Sequence, residues 1–212
     1  MTDKIVPFNP LDKQHLGESV GQAMIRQPAT PLGELGKFNG AGIYAIYYVG
    51  DFPAYQAIAS RNTEGDFVAP IYVGKAVPSG ARKGNISAAI TTALYKRLNE
   101  HKKSIEAVDN LRIEDFYCRA LVVDDIWIPL GESLLISKFA PIWNNLIDGF
   151  GNHDPGKGRF AGLRPRWDVL HPGRSWAEKC KPRHETMDQI MHEAEDHLRN
   201  NPPPDNNSMI TS

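Results

Sequence analysis

Two runs of β-branched and aromatic residues constrain this chain more than any other feature: GIYAIYYV, from Gly42 to Val49, and APIYVG, from Ala69 to Gly74. Neither has helical periodicity, and both read as strands. Together they hold four tyrosines, Tyr44, Tyr47, Tyr48 and Tyr72. Buried strands favour aliphatic side chains, which need no partner, whereas a phenol must find a hydrogen bond or reach water. The phenols therefore need polar groups supplied from elsewhere in the chain.

The other elements follow from periodicity and punctuation. Residues 11–27 are weakly helical and 27–40 form a turn-rich connector. Residues 50–67 read as a peripheral excursion, and the basic stretch KAVPSGARKGNIS (75–87) as a surface loop. Helices are predicted over 91–107 and 129–140, the second entered through Pro129 and stopped before Pro141. EDFYCRALVV (114–123) is a third strand. Residues 143–184 are rich in Gly, Pro, Arg and Trp, too polar and broken for a regular core element. Ordered irregular segments of that length are usually functional. An amphipathic helix covers 185–199, with Met187, Ile190, Met191, Ala194 and Leu198 on one face. Residues 200–212 read as a disordered tail. The whole is predicted to be one α+β domain over 1–199.

Two cysteines, Cys118 and Cys180, without CxxC spacing, indicate neither a zinc site nor a disulfide framework. No apolar run approaches the roughly 20 residues needed to cross a bilayer, and the first ten residues hold no apolar signal region. A cytoplasmic protein is expected. The formal charge of −1 does not advertise a polyanion binder, but it hides a pattern. Residues 75–103 hold seven Lys/Arg against one acid, and 151–183 hold eight against three. Acidic segments at 104–150 and 184–212 offset them. The basic blocks are either solvated faces or the walls of a groove for a polyanion.

The helices put polar residues where apolar ones belong. Leu94, Leu98 and Ile105 mark the buried stripe of the first, and Arg97 and His101 lie on it. Glu132 shares a face with Leu135, Ile136 and Phe139 in the second. Each has an architectural reading, Arg97 as a salt-bridge partner of Glu132 and His101 as a satisfied core histidine. Taken together with the tyrosine strands, they can converge on one cleft, the usual signature of a site. A lone carboxylate suits a hard divalent cation that keeps several waters, and an Arg beside it suits a phosphate. A Tyr hydroxyl could take or relay a proton from attacking water, although ionising a phenol at pH 7 costs roughly 4 kcal/mol. Arg97 and a metal would favour the phenolate, or His101 could take the proton. The set reads as metal-assisted hydrolysis of a phosphodiester.

In GIY (42–44), YVG (72–74), Arg97, Glu132 and Asn144, the stretch 42–145 resembles the GIY-YIG nuclease superfamily. Beyond that, GAGIYAIYY, residues 70–78, DGFGNHDPGKGRFA (148–161) and WDVLHPGRSWAEKC (167–180) resemble its type II restriction endonuclease branch, which cuts CCGCGG. The resemblance implies a GIY-YIG nuclease fold, a small central antiparallel sheet flanked by helices with basic loop insertions and a C-terminal extension. Its parts would be a core at 42–145, a DNA-binding extension at 146–183 and the helix at 185–199. It implies a homodimer cutting double-stranded DNA with one Mg²⁺ per active site, and a cognate methyltransferase as a separate protein without direct contact. By the same resemblance Tyr44 activates the attacking water, with Tyr72 and His101 in its network. Arg97 stabilises the scissile phosphate, Glu132 holds the metal and Asn144 orients the phosphate.

Base reading needs side chains at base edges, and arginine is the best reader of guanine. The candidates for DNA contact are Lys75, Arg82, Lys83, Asn152, His153, Lys157, Arg159, Arg164 and Arg166. Two other readings stay open: a less specific repair or mobile-element nuclease of the same superfamily, and a non-catalytic DNA-binding protein.

Overall fold

The run GIYAIYY (Gly42–Tyr48) forms the strand β2 and is buried along its whole length. Tyr44, Ile46 and Tyr48 face one core, and Ile43, Ala45 and Tyr47 face another. A strand covered on both sides has no polar face, which is why this segment shows no alternation. The computed structural model describes residues 12–78, 91–154, 156 and 160–204, without the side chains of 13, 14 and 64.

Four strands make one antiparallel sheet: β1 (Thr30–Pro31), β2, β3 (Pro70–Ala76) and β4 (Phe116–Val122), in the order β1-β4-β2-β3. Tyr44 stands opposite Gly74 of β3 and Ala120 of β4, and Ile46 opposite Tyr72. The next partner of β3 is Tyr47 with Pro70, so Ile71 is the extra residue of a bulge. Tyr44 and Tyr72 therefore share one face of the sheet. Val73 and Lys75, opposite Ala45 and Ile43, point to the other. The edge strand β1 lies in the connector 27–40, where the sequence predicts only turns; it is two residues long and contains Pro31, which an edge tolerates.

Helices cover both faces. On one, α1 (Lys13–Ile25) packs with α4 (Ile128–Phe139), and Met24, Ile128, Leu135 and Phe139 enclose Ile43, Ala45, Tyr47 and Val73. Pro129 sits in the first turn of α4, and Ala140, left-handed at φ 43, ends it before Pro141. On the other face lie the short α2 (Gln56–Ala59), burying Ile58 and Ala59, and α3 (Ala93–Glu106), which buries Leu94, Leu98 and Ile105. There α7 (Met187–Asn200) buries Ile190, Ala194 and Leu198, and a Thr186–Gln189 capping box starts it.

The broken segment after residue 142 contributes more to the core than its composition indicates. Trp143 of α5 (Ile142–Asn145), Phe150, and Trp167 and Leu170 of α6 (Arg166–Leu170) are all buried under the α3 face. The backbone is irregular while the large side chains point inward. The expected disordered tail also needs correction at its start. Asn200 still belongs to α7, and Asn201–Pro204 line a cleft with Pro70, Pro141 and Leu198. Among the described residues, no helix is long and apolar enough to cross a membrane.

Candidate active site

The second motif ends in glycine because the phenol of the first lies over it. A Cβ at Gly74 would meet the hydroxyl of Tyr44 and sit 2.6 Å from its Cζ. Gly42 has its own reason: at φ +154 it would point a side chain into the Leu121 carbonyl of β4. The missing Cβ at Gly74 leaves room for the Tyr44 ring to cross β3 and reach His101 of α3.

There Tyr44 Oη comes 2.6 Å from His101 Nε2. Both residues are buried, at 0% and 2% exposure. Burial pushes the Tyr44 phenol well above its ordinary range, with the neighbouring Tyr72 adding and Arg97 opposing. Burial, and then the charges of Arg97, His153 and Arg174, push His101 well below the usual imidazole range. The resting pair is thus a neutral phenol beside a neutral imidazole, burial outweighing Arg97 at Tyr44. The His101 ring is stacked on Phe150 at 4.5 Å and 19°, with Tyr72 edge-on at 5.2 Å.

Arg97 lies one turn before His101 on the same side of α3. It donates to Glu100 Oε2 (3.0 Å) and to the Gly151 carbonyl (2.8 Å), and it meets His153 Nε2. It does not pair with Glu132. That carboxylate, 21% exposed, receives Lys75 Nζ at 2.7 Å instead. Lys75 and Glu132 belong to the α4 side of the sheet; the tyrosines, Arg97 and His101 belong to the α3 side. β3 is an edge strand, and the negative charge of Glu132 is felt across it, raising the pKa of both Tyr44 and Tyr72.

Glu132 is a fair ligand for a hard cation. It is partly exposed and already attracts an ammonium group. Among the described residues no group of three or more His, Cys, Asp or Glu could hold a metal. A divalent ion at Glu132 would therefore keep most of its waters and take phosphate oxygens, the habit of magnesium.

Asn144, expected to orient the phosphate, bonds the backbone of β3. Its Oδ1 accepts from the Val73 N–H and its Nδ2 donates to the Val73 carbonyl, both at 2.8 Å. It bonds the open edge of β3 as another strand would, between Tyr72 and Gly74.

The DNA-contact candidates separate. Asn152 and His153 are exposed beside Arg97. Arg164 donates to the carbonyls of Ala177 and Glu178, and Arg166 bridges α6 to Glu193 and Glu185. Arg82, Lys83, Lys157 and Arg159 lie outside the described residues. The sequence reading missed a buried pair, Asp168 with Arg174, and a chain from Trp143 Nε1 through the Tyr55 hydroxyl to His171 Nε2. In the block 151–183, Arg164, Arg166, Arg174 and Arg183 all have protein partners, so at least half of its eight basic residues serve the fold. Charge in a sequence does not distinguish an internal ion pair from a phosphate contact.

A family model described as the Eco29kI GIY-YIG domain matches residues 36–198. No curated protein matches the chain.

Proposed function

The chain belongs to the Eco29kI GIY-YIG domain family and is a restriction-type nuclease; from that premise we propose that it makes magnesium-dependent double-strand cuts at a short palindromic GC-rich DNA site, CCGCGG. The observation that carries the chemistry is the 2.6 Å contact between the Tyr44 hydroxyl and His101 Nε2, beside Arg97. A neutral imidazole with its proton on Nδ1 accepts one at Nε2. Attacking water at Tyr44 can lose its proton to the phenol oxygen as the phenol gives its own to His101, so no free phenolate is needed. Arg97 then binds the scissile phosphate, exchanging its contacts with His153 and Glu100 for phosphate oxygens. Glu132 would hold the magnesium ion, which when bound supplies positive charge at the leaving oxygen. Lys75 keeps that carboxylate paired in the absence of the ion and is free to contact DNA in its presence. Asn144 acts on the site through Val73, by fixing the strand that carries Tyr72 and Gly74.

A palindrome has two-fold symmetry and its two strands each need a cut, so the working unit is a homodimer with one magnesium per active site. We place it in the prokaryotic cytoplasm, with a separate methyltransferase protecting host DNA. Incubation with a sequenced plasmid and Mg²⁺, followed by end sequencing, tests the proposal. Discrete ends at CCGCGG are expected. A smear would favour a less specific nuclease, and uncut but bound DNA a non-catalytic protein.

A further inference from the structure

We infer that Arg174 is a positioning residue for cleavage: through the loop 149–152 it fixes the ring that stacks on His101 and the carbonyl that receives Arg97. This rests on the reading of Tyr44, Arg97 and His101 as the reacting set.

A guanidinium has five N–H donors, and each of those of Arg174 finds an acceptor. Nε and Nη2 donate to the two oxygens of Asp168, both at 2.6 Å. Nη2 also donates to the Gly149 carbonyl at 2.9 Å, and Nη1 to the carbonyls of Phe150 (3.1 Å) and Asn152 (3.2 Å). The group lies over the rings of Trp167 and Trp176, 4.5 and 4.8 Å from their centroids. The side chains of Arg174 and Asp168 are only 4% and 2% exposed. Apolar residues of similar volume often replace a buried ion pair without loss of stability. They could not, however, gather three carbonyls of one loop.

That loop is a wall of the candidate site. The Phe150 ring stacks on His101 and stands edge-on to Tyr72 at 5.0 Å. With residues 149, 150 and 152 tied to Arg174, the remaining carbonyl, that of Gly151, is turned to Arg97. A Cβ at Gly151 would lie 2.6 Å from the Tyr72 hydroxyl, so the backbone runs close against the phenol. The Arg174 charge also adds to those that keep His101 neutral. Asp168 holds the guanidinium and the two tryptophans flatten it; the effect on Arg97 and His101 is transmitted by the loop.

The test is Arg174→Lys in the full-length protein. Lysine keeps the charge facing Asp168 but offers only three donors on one atom and no plane for the tryptophans. Circular dichroism and a thermal melt check folding. Cleavage of a duplex that the wild type cuts gives kcat and KM, and NMR of the free protein reports the imidazole nitrogens of His101. The variant is expected to fold, to lose about 10- to 100-fold in kcat with KM within about twofold, and to shift the His101 resonances. A folded variant with wild-type kcat and unmoved His101 signals overturns the inference. Should the variant not fold, hydrogen exchange on the wild type decides. The Asn152 amide, bonded to the Gly149 carbonyl at 3.0 Å, is expected to open together with the amides of Trp167 and His171. Exchange at the rate of an unprotected loop overturns the inference. If the wild type cuts no duplex at all, the nuclease reading fails, while the His101 signals and the exchange data still judge the clamp.

Discussion

Gly74 lies beneath the hydroxyl end of Tyr44, on the neighbouring strand and the same face of the sheet. A methyl group there displaces the phenol from His101. Gly74→Ala is expected to slow cleavage about 100-fold or more and to cost about 1–3 kcal/mol by overpacking. Gly36→Ala, with open space around the position, is the control and should stay within about 0.5 kcal/mol of wild type. Single-turnover cleavage and urea denaturation give both numbers. Full activity in Gly74→Ala would remove Tyr44 from the mechanism.

Asn144 is bonded to the Val73 backbone through both atoms of its amide. Asn144→Ala should destabilise the protein by about 1–3 kcal/mol, because the Val73 N–H loses its partner. Asn144→Asp keeps an acceptor for that N–H but sets a carboxylate oxygen against the Val73 carbonyl, and should not rescue it. An unchanged melting temperature in Asn144→Ala would mean that the residue serves only a bound phosphate.

Burial and the charges of Arg97, His153 and Arg174 hold His101 well below the usual imidazole range. The ring therefore stays neutral as the pH falls through about 6.5, where a free histidine gains its second proton. The single-turnover rate should be flat across that value and decline only at lower pH. An acid limb centred near pH 6.5 contradicts proton transfer from Tyr44 to His101.

His171 receives the Tyr55 hydroxyl at 2.7 Å and pairs with Asn110 at 2.9 Å. Burial first, and Arg174 second, lower its pKa to about 3. The unfolded chain then binds a proton that the native state refuses. Its contribution to stability is complete above about pH 6.5 and declines as the pH falls toward its folded value, by at most about 1.4 kcal/mol per pH unit. In His171→Gln, the loss of stability between pH 7 and pH 5 should shrink by up to about 2 kcal/mol. Parallel wild-type and variant slopes in urea titrations would show that His171 does not carry the effect.

Glu132 and Lys75 make a pair that is partly open to solvent. Such pairs contribute about 0–1 kcal/mol, so Lys75→Met should leave the melting temperature nearly unchanged. Glu132→Gln is expected to slow cleavage about 100-fold or more, through lost charge stabilisation. EDTA should stop the wild type and added Mg²⁺ restore it. Wild-type cleavage by Glu132→Gln would assign the metal to other ligands.

Much of this architecture is visible in local pattern. The runs at β2 and β3 show the covered sheet, and the stripe Leu94, Leu98, Ile105 shows which side of α3 is inward, hence that Arg97 and His101 face the tyrosines. Glu132 shows itself in the same way on α4. By contrast β1 was invisible, since two residues carry no period. Trp167 reads as core from its sequence, but the inward Trp143 and Phe150 have no such signal, in a segment whose glycines and prolines exclude regular structure but not burial.

Residue type and spacing along the chain therefore decide which side chains a strand or helix turns inward, because that depends on backbone geometry over a few neighbouring residues. They do not decide who meets whom. Glu132 could have paired with Arg97 and pairs with Lys75; Arg174 holds Asp168, Arg166 holds Glu193, and Asn144 holds Val73, partners that no local pattern names. An ion pair or an amide clamp joins surfaces brought together only when the whole chain packs, and a guanidinium carries the same charge whichever acceptor it finds.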